Sequence, residues 1–373
     1  MDKRKFIKNL GSLGLGLAMA PTITQKVLGV PAAQTKNWMW VRPNSSFTEE
    51  DWKAKLSTAK DAGIDAILVE VYNGSNAFFD TDRFPVKEKL LEKLGPICKE
   101  VGMELHTWMW TMICRNDKIM KEHPDWYAVN GLGESSVDKP AYVDYYRFMC
   151  PNHPEVREFV QENVRSLAAF DFVDGVHLDY VRLPDVILAE ALQPKYDIVQ
   201  DREYPQYDYC YSTYCREAFK AETGIDPLKD LEDPSANKAW REFRYNSISS
   251  LVNDMLVPEA KKKDKMITAA VFPNWQNVRQ QWYKWKLDAF LPMLYHSFYN
   301  EDLNWLKKST KERKKDLIYD QPIYSGLYVP SLKEEEFAEA YKMSMKGGAS
   351  GISLFDLGSV KDEYWPILKD ILT

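Results

Sequence analysis

From Asn37 onward, short apolar runs alternate with longer stretches in which apolar and charged residues recur at helical spacing. Runs of four to eight residues bounded by turn signals read as buried strands, and the amphipathic stretches between them read as helices. Trp38–Val41 is the first predicted strand. Ser46-Phe47-Thr48-Glu49-Glu50 then opens a helix with a capping residue and an acidic first turn, and Gly63 stops it. Ile64–Tyr72 is strand two, Val86–Val101 a helix ended by Gly102, and Met103–Trp110 strand three. A helix from Pro154 to Phe170 leads into Asp174-Gly175-Val176-His177-Leu178-Asp179-Tyr180-Val181-Arg182-Leu183-Pro184, which carries strand four. Residues 185–235 form a long insertion with a short helix near Cys215–Glu222. A long helix near Lys238–Lys263 follows. Strands are predicted at Met266–Phe272, Asp288–Tyr295, Pro322–Leu327 and Ser350–Phe355, with helices at Asp302–Lys315, Leu332–Lys346 and Glu363–Ile371. Eight strands with interleaved helices predict a single (β/α)8 TIM barrel over residues 36–373, with an extended loop insertion after strand four.

In such a barrel the chemistry sits at the carboxyl ends of the strands, so polar residues there are the candidates. Side chains alternate along a strand. His177 and Asp179 therefore share one face of strand four, and Glu70 shares a face with Leu68 and Tyr72. His106, Trp108 and Trp110 share a face of strand three. Tyr295 and His296 end strand six, Asp356 ends strand eight, and Trp275 follows strand five. Asp179 is the leading catalytic candidate, because Arg182 and Pro184 share its short turn and a nearby cation would hold the carboxylate ionised. Glu70 and Asp356 are the candidates for the second carboxylate. His106, Trp108, Trp110, His177, Arg182, Trp275, Tyr295 and His296 are expected to bind substrate, the aromatic faces serving as platforms for sugar rings.

Composition narrows the chemistry. The chain has 373 residues, 45% of them hydrophobic, a net charge of −6, and an unusual 12 Trp and 21 Tyr. No long Lys/Arg tract occurs, and Lys261-Lys262-Lys263 falls at a helix end where it meets the helix dipole, so nucleic acid is not an expected partner. No His/Asp cluster or HxH pair has metal-ligand spacing. Cys98, Cys114 and Cys150 stand alone, and Cys210 and Cys215 are separated by four residues, as two free thiols or a small disulfide. GxSxG, P-loop and strand-borne GxGxxG motifs are absent. Hydrolysis by two carboxylates, needing neither metal nor cofactor, is what remains.

Residues 1–32 read as an export signal: Lys3-Arg4-Lys5-Phe6-Ile7-Lys8 is a basic start, and Leu10 to Ala20 is a short apolar stretch. It resembles a twin-arginine signal with Lys3 in place of the first arginine, and Val30-Pro31-Ala32 offers a cleavage site. The expected location is the bacterial periplasm or cell surface, without stable membrane insertion after cleavage.

His177-Leu178-Asp179-Tyr180-Val181-Arg182-Leu183-Pro184 resembles the fourth-strand motif of the bacterial glycosyl-hydrolase-like family ten barrels. Cys150-Pro151-Asn152-His153-Pro154-Glu155-Val156-Arg157, Gly102-Met103-Glu104-Leu105-His106-Thr107-Trp108 and Leu291-Pro292-Met293-Leu294-Tyr295-His296 are similar to other signatures of that family. The resemblance spans nearly all of the chain after residue 36. It implies a metal-free glycosidase-type barrel acting on polysaccharide, with Asp179 in the active site. Two departures stand out: Glu70-Val71-Tyr72-Asn73-Gly74-Ser75 replaces an arginine-proline turn, and Asp356 replaces an uncharged residue. The expectation is cleavage of an O-glycosidic bond, with Asp179 as nucleophile or base and Glu70, or Asp356 in its stead, as general acid. A non-catalytic glycan-binding barrel is the alternative. A polysaccharide lyase using Arg42, Arg115 or Arg182 to neutralise a uronate is a third.

Overall fold

The strands are β1 (Trp38–Val41), β2 (Ala66–Tyr72), β3 (Glu104–Trp110), β4 (Gly175–Asp179), β5 (Met266–Val271), β6 (Ala289–Pro292), β7 (Ser325–Tyr328) and β8 (Ile352–Phe355). They pair in parallel in the order β6-β5-β4-β3-β2-β1-β8-β7. Phe290 bridges to Ile323 just before β7, which closes the sheet into a barrel. The computed structural model describes residues 35–373, and the segment expected to be an export signal, 1–32, lies outside them. Among the described residues no helix is long and apolar enough to cross a membrane.

Alternation along the strands sorts the apolar residues into two cores. Trp38, Trp40, Ala66, Leu68, Trp108, Ala270, Leu291 and Tyr324 fill the barrel interior. Met39, Val41, Ile67, Val69, Leu105, Met109, Val176 and Leu178 face the surrounding helices. The helices are α1 (Glu49–Asp61), α2 (Leu90–Val101), α3 (Asp117–Glu122), α4 (Pro154–Ala168), α5 (Thr213–Thr223), α6 (Lys238–Ser250), α7 (Val257–Lys261), α8 (Leu303–Asp316), α9 (Phe337–Lys346) and α10 (Tyr364–Leu372). Thr48 caps α1, in a reciprocal capping box with Asp51. The single long helix expected at Lys238–Lys263 is broken by a π-helical turn at Leu251–Leu256, where the Val257 N–H bonds to Val252 O. Pro258 accounts for this: it brings no N–H and crowds the carbonyl four residues back.

The barrel interior holds indoles and imidazoles where aliphatic side chains are usual. Trp40 meets Trp108 at 4.7 Å and His177 at 4.8 Å, both edge-on. His177 Nδ1 lies 2.8 Å from Thr268 Oγ1. Gly175 makes room for His106: a Cβ there would stand 2.4 Å from His106 Nδ1 and 2.6 Å from Met266 O. Gly175→Ala is therefore expected to cost about 1–3 kcal/mol through overpacking, read as a lowered midpoint in thermal or urea unfolding.

Two excursions rise from the carboxyl end of the barrel. One is the β3–α4 connection, residues 111–153, and the other is the insertion that begins at residue 185. They are fastened to each other: Tyr142 stacks on Tyr207 at 4.5 Å, and Asn130 bridges to Tyr209. Buried Asp208 in the insertion takes hydrogen bonds from Arg244, from Arg279 Nη2 at 3.0 Å and from the Tyr211 hydroxyl at 2.6 Å. Leaving any of these charges unpaired would be costly, so the cluster fixes where the insertion sits.

Candidate active site

The end of β2 does not follow simple alternation. Glu70 pairs with Trp108, but the next matched pair is Tyr72 with Met109, so Val71 is an extra residue and the strand bulges. Val71 and Tyr72 therefore both face the outer core, and Glu70 alone points inward. The expected common face of Glu70 and Tyr72 is thus corrected: the bulge turns Tyr72 away. On β4, Asp179 sits level with Trp110 of β3. Its Oδ1 accepts the Tyr180 N–H at 2.7 Å and its Oδ2 accepts Trp108 Nε1–H at 3.0 Å. Tyr180 has a φ of 51°, a left-handed conformation that folds its amide back onto the Asp179 carboxylate.

Going round the barrel mouth, Asp356 follows β8, Arg42 follows β1, Glu70 lies on β2, Trp108 on β3 and Asp179 on β4. Arg42 Nε is 3.4 Å from Asp356 Oδ2 and its side chain is 56% exposed, so a ligand can reach it. Asp356 Oδ1 also accepts the Ser359 hydroxyl at 3.0 Å. Burial raises Glu70 to about 7; the Asp179 and Asp356 charges push the same way, against Arg42 and Arg115. Burial also raises Asp179, to about 6, opposed by the Tyr180 N–H, Arg182, the Trp108 N–H and Arg42. Two carboxyl groups thus share one mouth, both held above the ordinary range, with Glu70 the more readily protonated.

Trp108 is a positioning residue rather than a sugar platform: it is 2% exposed, enclosed by Trp40 and Phe355, and its N–H holds Asp179. Removing that hydrogen bond in Trp108→Phe is expected to raise the Asp179 pKa further. The ionisation of Asp179 then moves to higher pH, measurable by following its carboxyl titration by NMR.

Other expected binding residues are redistributed. His106 and His177 are fully enclosed in the barrel beneath the carboxylates and cannot touch a ligand. His106 Nε2 lies 3.1 Å from Glu104, which also takes Lys36 Nζ at 2.6 Å. Arg182 does not bond Asp179. Its Nη1 binds Asp185 at 2.9 Å, its Nη2 bonds the Tyr146 hydroxyl, and it lies over the Phe272 ring, so it lowers the Asp179 pKa only through space. Trp275 packs edge-on against Tyr245 and Tyr283 outside the barrel, away from the carboxylates. Trp110 packs at a tilt against Tyr180, ring centres 4.7 Å apart, and remains partly exposed. Tyr295 is buried, its ring packed against Phe298, Tyr328 and Phe355 at the mouth, and burial raises its hydroxyl pKa, with Asp179 adding in the same direction. His296 is half-buried beside Glu336 and Asp302 and opens the turn after β6.

Two further features complete the mouth. Phe298, Tyr328 and Phe355 join Tyr295 in a partly exposed aromatic wall, with Tyr295–Tyr328 at 5.3 Å and Phe298–Tyr328 at 5.0 Å. Alternation from Ser353 would have directed Phe355 inward. Arg42, considered only as a lyase residue, stands between Glu70 and Asp356. The structure also corrects the reading of Cys150 as isolated: its sulfur, with those of Cys210 and Cys215, forms a buried group whose members lie within 4.8 Å of one another.

No family model matches the sequence, and no curated protein sequence matches it. Solved structures do. The PgaB (BpsB) glycoside hydrolase domain from Bordetella bronchiseptica superposes with a TM-score of 0.69 at 12% identity, covering 91% of this chain and 99% of that one. The catalytic domain of a β-amylase from Paenibacillus polymyxa gives 0.63 at 12% identity, covering 90% and 95%. A β-galactosidase from Halorubrum lacusprofundi gives 0.64 at 12% identity, covering 90% and 57%. These neighbours are glycoside hydrolases, and at such identities the likeness is one of fold.

Proposed function

We propose that this protein is a glycoside hydrolase that cleaves O-glycosidic bonds of an oligo- or polysaccharide with two carboxyl groups. The observation that carries the reading is the pair Glu70 and Asp179, both buried at the same barrel mouth and both raised, with Glu70 at about 7 and Asp179 at about 6. Near neutral pH this gives one group able to donate a proton and one able to act as nucleophile or base. Glu70 is the general acid in this reading, and Asp356 the substitute for it. Arg42 is placed to bind an oxygen of the sugar beside them. The partly exposed rings of Trp110, Tyr328 and Phe355 offer faces for neighbouring sugar units. The resemblance of the fourth-strand motif to that of glycosyl-hydrolase-like family ten supports the reading, and the proposed export through residues 1–32 to the periplasm or cell surface fits a polysaccharide substrate.

The test is incubation of the protein with a panel of bacterial and plant polysaccharides, followed by reducing-end assay and product analysis. New reducing ends that disappear in Asp179→Asn support the reading. Products that absorb in the ultraviolet as unsaturated uronates would replace it with a lyase. Binding to a glycan with no cleavage across the panel would replace it with a glycan-binding barrel.

A further inference from the structure

Three of the five cysteines, distant in sequence, converge where the two excursions meet. Cys150 closes the β3–α4 excursion just before α4, while Cys210 and Cys215 belong to the insertion, Cys215 in the first turn of α5. All three are buried, and their sulfurs lie within 4.8 Å of one another. Cys150 Sγ and Cys215 Sγ are 3.6 Å apart. That is too long for a bond between them, but two sulfurs on a tetrahedral zinc, each at ~2.3 Å from the metal, stand about 3.8 Å apart.

Polar groups surround the sulfurs. Asn152 Nδ2–H points at Cys215 Sγ at 3.2 Å, and the Ser212 hydroxyl lies 3.0 Å from Cys150 Sγ. Such donors to ligating sulfur are the usual second layer of a metal site. A cation also stands by. Arg157 is largely buried and makes its hydrogen bonds to Pro151 O, Ser247 O and Ser250 Oγ. Among the described residues it has no ion pair with a carboxylate, and the charges that act on it through space are Asp254 and, after it, Cys150.

We propose that Cys150, Cys210 and Cys215 bind one zinc ion, which clamps the insertion to the β3–α4 excursion. Binding replaces three S–H bonds by three Zn–S bonds and releases three protons to solvent. No electron changes hands. The resulting zinc–trithiolate unit carries one net negative charge, which Arg157 offsets. Ser212 Oγ or a water completes the tetrahedron. Soft thiolate donors at this spacing select zinc over magnesium or calcium, which take oxygen. The site is separate from the carboxylates, so the clamp is structural and does not touch the reacting bond.

The experiment uses the full chain, purified under reducing conditions and stripped of metal with a chelator. Titration with Co2+ alone is expected to produce thiolate-to-cobalt charge-transfer bands and the strong visible bands of a tetrahedral site. They should saturate at about one equivalent and bleach when Zn2+ is added. Zn2+ is also expected to raise the melting temperature of the stripped protein. Cys210→Ser should lose the cobalt bands, while Cys98→Ser, buried elsewhere in the outer core, should keep them. The wild-type titration carries the test by itself if the Cys210 variant does not fold. Two results overturn the proposal. One is absence of tetrahedral bands in wild-type protein whose thiols are all free by titration in denaturant. The other is an isolated chain two mass units light, with a disulfide among the three cysteines and no bound metal.

Discussion

Asp179→Asn is expected to lower turnover by at least about 10³-fold while leaving the melting temperature nearly unchanged. The rate loss follows from removing the carboxylate proposed as nucleophile or base, a role whose deletion costs orders of magnitude. The small effect on stability is less obvious and comes from two opposing changes. Both Asp179 oxygens accept N–H donors, from Tyr180 and from Trp108. An asparagine can accept only one of them with its oxygen, so one donor is left facing an amide nitrogen, at about 1–3 kcal/mol. Against this, the wild-type carboxylate is itself destabilised by burial, which raises its pKa to about 6, and the neutral amide escapes that cost above pH 6. Initial rates and thermal melts of the same two preparations settle the matter. A variant that is unfolded at 25 °C would show Asp179 to be a structural residue, and full activity in a folded variant would remove it from the mechanism.

Glu70→Gln is expected to change stability in a pH-dependent way as well as activity. In the folded protein Glu70 holds its proton up to about pH 7, against an ordinary value of 4.5. The folded state therefore binds the proton more tightly than the unfolded chain does. Stability is highest below the unfolded value and declines as pH rises between the two, by roughly 3 kcal/mol once Glu70 is ionised. Asp179 acts with the same sign between its ordinary 3.8 and about 6. The wild type should thus lose stability on going from pH 4 to pH 8. Glutamine has no charge to bury, so the variant should gain on the wild type as pH rises and melt at a higher temperature at pH 8. Its glycan-cleaving rate should fall by about 10²–10⁴-fold if Glu70 is the general acid. Parallel melting curves for the two proteins from pH 4 to pH 8 would mean that Glu70 is not held protonated by burial.

Much of this architecture is legible in the chain because period-two and period-3.6 patterns are local. All eight strands and the carboxylates at their ends follow from counting apolar positions, as does the placing of Glu70 and Asp179 at one mouth. What escaped the pattern depends on geometry that is not periodic. Tyr72 reads as a neighbour of Glu70 because counting by twos assumes an unbroken ladder, and one extra residue reverses the answer. Arg182 reads as a partner of Asp179 because the two share a turn, yet Asp185, three residues on, takes the guanidinium. Trp108 looks like a platform from its aromatic character, and only its enclosure shows that its N–H matters more than its face. Cys150 is separated from Cys210 by the whole of β4 and half the insertion, and no spacing rule joins them.

The bulge after Glu70 has an evolutionary consequence. The residues from Ala66 to Val69 are locked in register between β1 and β3, and Glu70 is matched to Trp108 of β3, whereas the slip falls on the far side, at Val71. Changes in length or sequence in the connection that follows, residues 73–89, are taken up at an irregular joint instead of being passed down the ladder. A one-residue shift in an unbroken strand would turn the acid to the opposite face. Here the same shift can be absorbed beyond it. The connection that frames one side of the mouth is therefore free to diversify for new ligands while the acid keeps its position, a separation of adaptable rim from fixed chemistry within a single strand.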